Sequence, residues 1–256
     1  MNDCSVICIV FLCALFLCWG SFLNSFAYRL LFNKKINTKR SYCPHCFTTI
    51  AWYDLFPVLS FFVLRAKARC CNQPISFLYP SGELLTATSC TIIALAYPWY
   101  TAAALICFVS LLMISFYTDA KDFTLLRVCT LYAVPIGLLC AFVNILPISF
   151  IESFVGAIFG YFLLWSIAYI YQLIRRIDGL GNGDPELLAL IGSFCGISGC
   201  LTILFIASIL GSLYGITVCS IKQNYTLSAK FPFGPFLIIA TLLWLILQPF
   251  DLLYHQ

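Results

Sequence analysis

The chain has 256 residues, 62% of them apolar and only 9% charged, and its mean hydropathy is +0.98. Soluble domains carry roughly 25% charged residues, so this composition excludes one and predicts an all-α, polytopic membrane protein. The net charge of +4 reports topology rather than nucleic-acid binding, and no nucleic-acid partner is expected; a basic inner face would also attract anionic lipid.

Apolar runs of roughly 17–25 residues are long enough to span a bilayer as helices. About eight candidates follow in order: Cys4–Ser25, Gly82–Tyr97, Tyr100–Tyr117, Leu125–Leu146, Ser149–Leu173, Leu187–Gly199, Cys200–Ile221 and Phe231–Leu247. The second and sixth are short, and a very tight turn near Ser198-Gly199 would join the sixth to the seventh. The first lacks the basic n-region and Ala-x-Ala-like exit of a cleaved signal peptide, so it is expected to be a retained helix. With eight spans all 14 lysines and arginines fall on one side of the membrane, which basic residues near helix ends mark as cytoplasmic. Three parts are expected: a first helix over 1–27, a cytoplasmic cysteine-containing loop over 28–81, and a transmembrane core over 82–256.

The loop is too long for an ordinary connection. It holds Cys43-Pro44-His45-Cys46 and then Cys70-Cys71, with an aromatic stretch from Trp52 to Phe62 between them. That stretch is expected to lie on the membrane surface with its rings at headgroup level. Cys43-x-x-Cys46 has the spacing of half a tetrahedral zinc site. Its partner is irregular, because Ala68 stands where a second Cys-x-x-Cys would begin. A redox-active pair remains an alternative. The scattered cysteines, such as Cys8, Cys90 and Cys140, read as small apolar residues of the spans.

Ionisable residues beside a bilayer are costly, which makes them candidates for function. Asp119 ends one apolar run, and Asp184 lies in the turn Gly181-Asn182-Gly183-Asp184 before Pro185. The glycines permit unusual backbone angles, Asp184 is placed like an N-cap and Pro185 suits a first helical turn. Two carboxylates at one membrane depth, sharing a proton, can act as base on a water and as acid toward a carbonyl. The plain alternatives are a capped helix start for Asp184 and a solvated charge paired with Lys121 or Arg127 for Asp119. Glu83 either supports its helix start through the dipole or lines a site.

Several motifs in order resemble the type IV prepilin peptidases: Gly20-Ser21-Phe22-Leu23-Asn24, Cys43-Pro44-x-Cys46, Tyr53-Asp54-Leu55-Phe56-Pro57, Tyr79-Pro80, Glu83-Leu84-Leu85-Thr86, the Gly181-x-Gly183-Asp184 turn and Pro232-Phe233-Gly234-Pro235. The resemblance implies a bacterial inner-membrane aspartic endopeptidase with its site facing the cytoplasm. Such enzymes cut the short basic leader from type IV prepilins or type II secretion pseudopilins, and many then methylate the new N-terminus with S-adenosylmethionine. By motif position Asp119 and Asp184 match the catalytic pair, with Gly181 and Gly183 as the supporting turn. Cys43, Cys46 and Cys71 match cysteines of the family's zinc site, with Cys70 as the candidate substitute for the fourth, and the peptidase step itself needs no cofactor.

Three positions depart from the family pattern. Ala68 replaces a cysteine, Leu125-Leu126-Arg127 replaces an Ile/Leu-Pro-Asp/Asn stretch, and Glu186 replaces a lysine. A single-span substrate would dock by small-residue packing, with Gly156, Gly160, Gly192, Gly196 and Gly211 as candidate close-approach positions, and Asp122, Asp178 and Glu186 would attract its basic leader. Two other classes fit the residues alone: a metal- or ion-handling transporter, and an inactive assembly scaffold of the same fold.

Overall fold

A computed structural model of the chain describes residues 3–31, 41–176, 181, 183–221 and 233–254. The backbone of the described residues is helical, apart from turns and two isolated β-bridges. Helix forms within each of the eight apolar runs, but in the fourth, expected over Leu125–Leu146, it covers only 131–142 and the residues before it are turn. The chain divides into two compact units, Met1–Tyr97 and Pro98–Gln256.

In the first unit, α1 (Asp3–Leu31) packs on α3 (Leu78–Ala96). Gly20 makes that approach close, since a methyl group there would lie 3.1 Å from the Glu83 Cα and from the Thr86 Cβ. The hydroxyls of Thr86 and Ser89, buried on α3, donate to the carbonyls of Gly82 and Leu85 one turn back; a buried polar group costs stability unless it is paired in this way. Between the helices lie a 3₁₀ turn (Trp52–Leu55) and the short α2 (Leu59–Val63). Glu83 sits inside α3 rather than at its first turn, and its carboxylate accepts the Val58 N–H at 2.8 Å. Val58 has φ 60°, a strained value for a β-branched residue, so Glu83 anchors a bend rather than a helix start.

The second unit contains α4 (Trp99–Asp122), α5 (Val134–Phe142), α6 (Phe150–Arg175), α7 (Asp184–Ile221) and α8 (Gly234–Tyr254). A capping box starts α6: the Ser149 side chain accepts from the Glu152 N–H, and Glu152 accepts from the Ser149 N–H in return. Such caps are worth about 1 kcal/mol.

The α7 segment is two helices. Gly196 has φ 68° and ψ −173°, a region open to glycine, and the chain folds back there. Cys200 Sγ consequently lies 3.9 Å from the Leu188 carbonyl, whereas twelve residues of straight helix would separate them by about 18 Å. The tight turn anticipated at Ser198-Gly199 therefore occurs at Gly196, the residue that can take the required angle. The first half, 184–195, is buried throughout. At about 18 Å it is shorter than the ~30 Å hydrocarbon core.

By length and composition α1, α4 and α6 can each cross a membrane, as can the full length of α7 before its reversal is considered. This is an all-α, polytopic membrane protein.

Glycines anticipated as a docking face for another helix serve internal packing instead. A methyl on Gly156 would meet the Gly192 carbonyl at 2.5 Å, one on Gly160 the Leu188 carbonyl at 2.6 Å, and one on Gly192 would strike the Gly156 carbonyl. Bare backbone against bare backbone lets α6 and α7 approach closely, and Ser153 adds a hydrogen bond to the Ser193 carbonyl at 2.5 Å. Gly192→Ala should therefore lower stability by about 1–3 kcal/mol through overpacking. Gly215→Ala, where nothing lies within 4 Å, should be neutral or slightly stabilising by helix propensity. Thermal unfolding of the two variants in detergent checks the contrast.

Candidate active site

Helix α8 packs on both α4 and α7 and sets the site between them. Phe108 and Phe194 stack face to face, centroids 4.2 Å apart and planes within 5°. From that stack α4 climbs eleven residues to Asp119 and α7 descends ten to Asp184, rises of about 16 and 15 Å. The two helices are thus antiparallel, with their aspartates at one level. Asp119 is in the last turn of α4 rather than in a solvated loop, and only 5% exposed; Asp184 opens α7 and is 3% exposed.

Gly234, the first residue of α8, lies against both carboxylates. A methyl group there would be 2.5 Å from Asp119 Oδ2 and 3.6 Å from Asp184 Oδ1, so those oxygens are no further apart than the sum of the two distances. Any side chain at 234 would occupy the space beside them. The sequence assigned Gly234 no role of its own, although it lies in the Pro232-Phe233-Gly234-Pro235 motif of the family resemblance. Asp119 Oδ2 is buried and has no hydrogen-bond partner among the described residues. An oxygen so placed is suited to a water or a substrate group. The Asp184 N–H donates to the Gly181 carbonyl at 3.2 Å. A methyl on Gly183 would lie 2.6 Å from the Leu125 Cβ, so the turn seats directly on the segment after α4. Asn182 and Asp178 fall outside the described residues.

In the first unit the four cysteines converge. Two turns, 41–50 and 66–75, have one backbone plan offset by 25 residues. Cys43 N–H donates to the Thr48 carbonyl as Ala68 N–H does to that of Gln73; Phe47 N–H donates to Cys43 as Asn72 does to Ala68. The bridges Tyr42–Thr49 and Lys67–Pro74 repeat the offset. Ala68 therefore occupies the place of Cys43, and Cys71 that of Cys46. Cys70, at the place of His45, supplies the missing sulfur: its Sγ is 3.2 Å from that of Cys46 and 3.9 Å from that of Cys71, while Cys43 and Cys71 are 3.7 Å apart. All four sulfurs lie within 4.8 Å of one another. Tetrahedral zinc with ~2.3 Å bonds needs sulfurs about 3.8 Å apart, so the donor set fits a soft metal ion. The Thr48 hydroxyl at 2.9 Å favours the Cys46 thiolate and lowers its pKa to about 6. Arg69 forks onto Asp54 at 3.0 Å, tying the second turn to the 3₁₀ turn.

Two family models match the chain in series: the Bacterial Peptidase A24 N-terminal domain over residues 14–97 and the Type IV leader peptidase family over 105–216. The prepilin leader peptidase/N-methyltransferase of Aeromonas hydrophila is 36% identical over 212 residues, covering 80% of this chain and 71% of the relative. The chain belongs to the type IV leader peptidase family. The correspondingly named proteins of Aeromonas salmonicida strain A449 and Neisseria gonorrhoeae are 34% and 31% identical, covering 80% and 82% of this chain and 71% of each relative. No solved structure matches.

Two of this family member's departures from the leader-peptidase pattern meet in space. Arg127 Nε lies 3.1 Å from Glu186 Oε1, and the buried Thr130 hydroxyl donates to Glu186 Oε2 at 3.2 Å. Glu186, only 6% exposed, is therefore not an acidic rim residue open to a basic leader, and Arg127 pairs with it rather than with Asp119. Asp122 is exposed.

Proposed function

We propose that the chain is a membrane aspartic endopeptidase that removes the short basic leader from type IV prepilins or type II secretion pseudopilins, with Asp119 and Asp184 as its catalytic pair. The observation that carries this is the position of Gly234, within reach of both buried carboxylates at once. Two carboxylates this close hold one proton between them. The ionised member takes a proton from a water as its oxygen attacks the scissile carbonyl, and the protonated member donates to the carbonyl oxygen. Collapse of the tetrahedral gem-diol breaks the C–N bond; the leaving amine takes up the proton from the first carboxyl, and a hydroxyl of the diol returns its proton to the second carboxylate. The N-terminus of α8 lies beside the pair, where its positive end favours negative charge. The substrate's apolar helix would lie in the bilayer and its leader on the cytoplasmic side, with exposed Asp122 as an acidic contact. The bacterial inner membrane is the setting this implies.

In the same reading Cys43, Cys46, Cys70 and Cys71 hold a structural zinc ion, which cross-links the two turns. The names of the relatives also include N-methyltransferase activity, and methyl transfer from S-adenosylmethionine to the new N-terminus is the second activity proposed here.

Co-expression with a prepilin tests the peptidase. Asp119→Asn and Asp184→Asn should each cut processing by at least about 10²-fold with the protein still inserted; a leader removed as fast by either variant overturns the assignment. Sequencing and weighing the product also read methylation, as one added methylene at the new terminus. Gly234→Val should abolish processing by filling the space beside the carboxylates. Metal analysis of the purified protein should find one zinc per chain, lost in Cys43→Ser and in Cys70→Ser; Ala68→Cys in the Cys70→Ser background should recover it, because position 68 is the counterpart of Cys43.

A further inference from the structure

The segment 123–130, between α4 and α5, follows directly on Asp119 at its start and is fastened to the entrance of α7 at its end. At its start Phe123, in a left-handed conformation with φ 52°, donates its N–H to the Asp119 carbonyl at 3.0 Å. It then meets the entrance of α7 twice. Leu125 lies on the bare backbone of Gly183. Further along, Arg127 and Thr130 occupy one oxygen each of the Glu186 carboxylate.

Glu186 follows Asp184 by two residues and is withdrawn from solvent. A buried carboxylate without partners is strongly destabilising, so the α7 entrance is well satisfied only with the segment in place. Arg127 is itself largely exposed, its side chain 69% accessible, and an exposed cation contributes little to global stability. Its ion pair is better suited to fixing geometry, a use in which buried charge specifies register rather than adding stability.

We propose that Glu186 is a positioning residue. With Arg127 and Thr130 it clamps segment 123–130 onto the α7 entrance and thereby holds Asp119 and Asp184 at their working separation. The inference rests on the reading of those aspartates as the catalytic pair, and extends it to residues outside that pair. Because the clamp is an ion pair, its polarity can be exchanged between the two partners.

The test uses the full-length protein in detergent with a purified prepilin. Glu186→Leu and Arg127→Glu should lower kcat by about 10- to 100-fold, the loss expected when reacting groups are misplaced by about 1 Å, with KM unchanged. Glu186→Gln, which keeps the shape and a hydrogen bond to Thr130, should stay closer to wild type. The exchanged double variant Arg127→Glu with Glu186→Lys should recover more activity than either charge-disrupting single change. Unchanged kcat in Glu186→Leu, or a double variant no better than the singles, overturns the clamp.

Hydrogen exchange reads the clamp without activity. Amides 124–133 should exchange faster in Glu186→Leu while those of α6 hold their protection; unaltered exchange in 124–133 overturns the clamp even if the wild type proves inactive. Failure of the catalytic reading is seen separately, as wild type and Asp119→Asn cleaving equally.

Discussion

The packing of α8 on both α4 and α7, which sets Gly234 against Asp119 and Asp184 together, is the constraint from which the rest of the site follows. The Phe108–Phe194 stack fixes one level, and nearly equal helical rises carry both chains to the aspartates at the other. A slip of one residue would rotate a side chain by about 100° around the helix and separate the carboxylates. Aromatic stacking is worth about 0.5–1.5 kcal/mol beyond area burial, a small sum compared with its geometric effect. Asp119 and Asp184 are costly to bury, and α8, packed on both of their helices, brings Gly234 against the two of them.

Close packing of backbone is what leaves room for so short a central helix. The fold-back at Gly196 lets residues 184–195 end inside the unit, and Gly156, Gly160 and Gly192 bring α6 against them without intervening side chains. A helix of that length is too short to span a bilayer, and its N-terminal aspartate is met by Gly234 at the start of α8. Small residues thus act twice: they seat α6 on α7, and at 181 and 234 they leave space beside the carboxylates.

The first unit solves a different problem, the ordering of a polar segment with little core. Its two turns share a backbone plan, and the cysteine absent from position 68 is replaced by Cys70, from a neighbouring position on the second turn. A ligand set depends on where sulfurs converge rather than on regular spacing along the chain. Glu83, holding Val58 at a strained angle, ties the same segment to α3.

The sequence by itself determined the membrane class and most of the helices, and it singled out the two aspartates and the four cysteines. These follow from hydropathy, from the cost of charge beside lipid and from ligand chemistry, all of which are local or compositional. It left Glu186 as an acidic rim residue and the glycines as a docking face, and it placed the turn near Ser198-Gly199 rather than at Gly196. Only the tertiary structure decided that Arg127 and Thr130 enclose Glu186, that Gly156 meets Gly192, and that Gly234 adjoins both aspartates. Each of these is a contact between segments far apart in the chain. Periodicity says which face of a helix is apolar, but which residue meets it is set by packing of the whole unit.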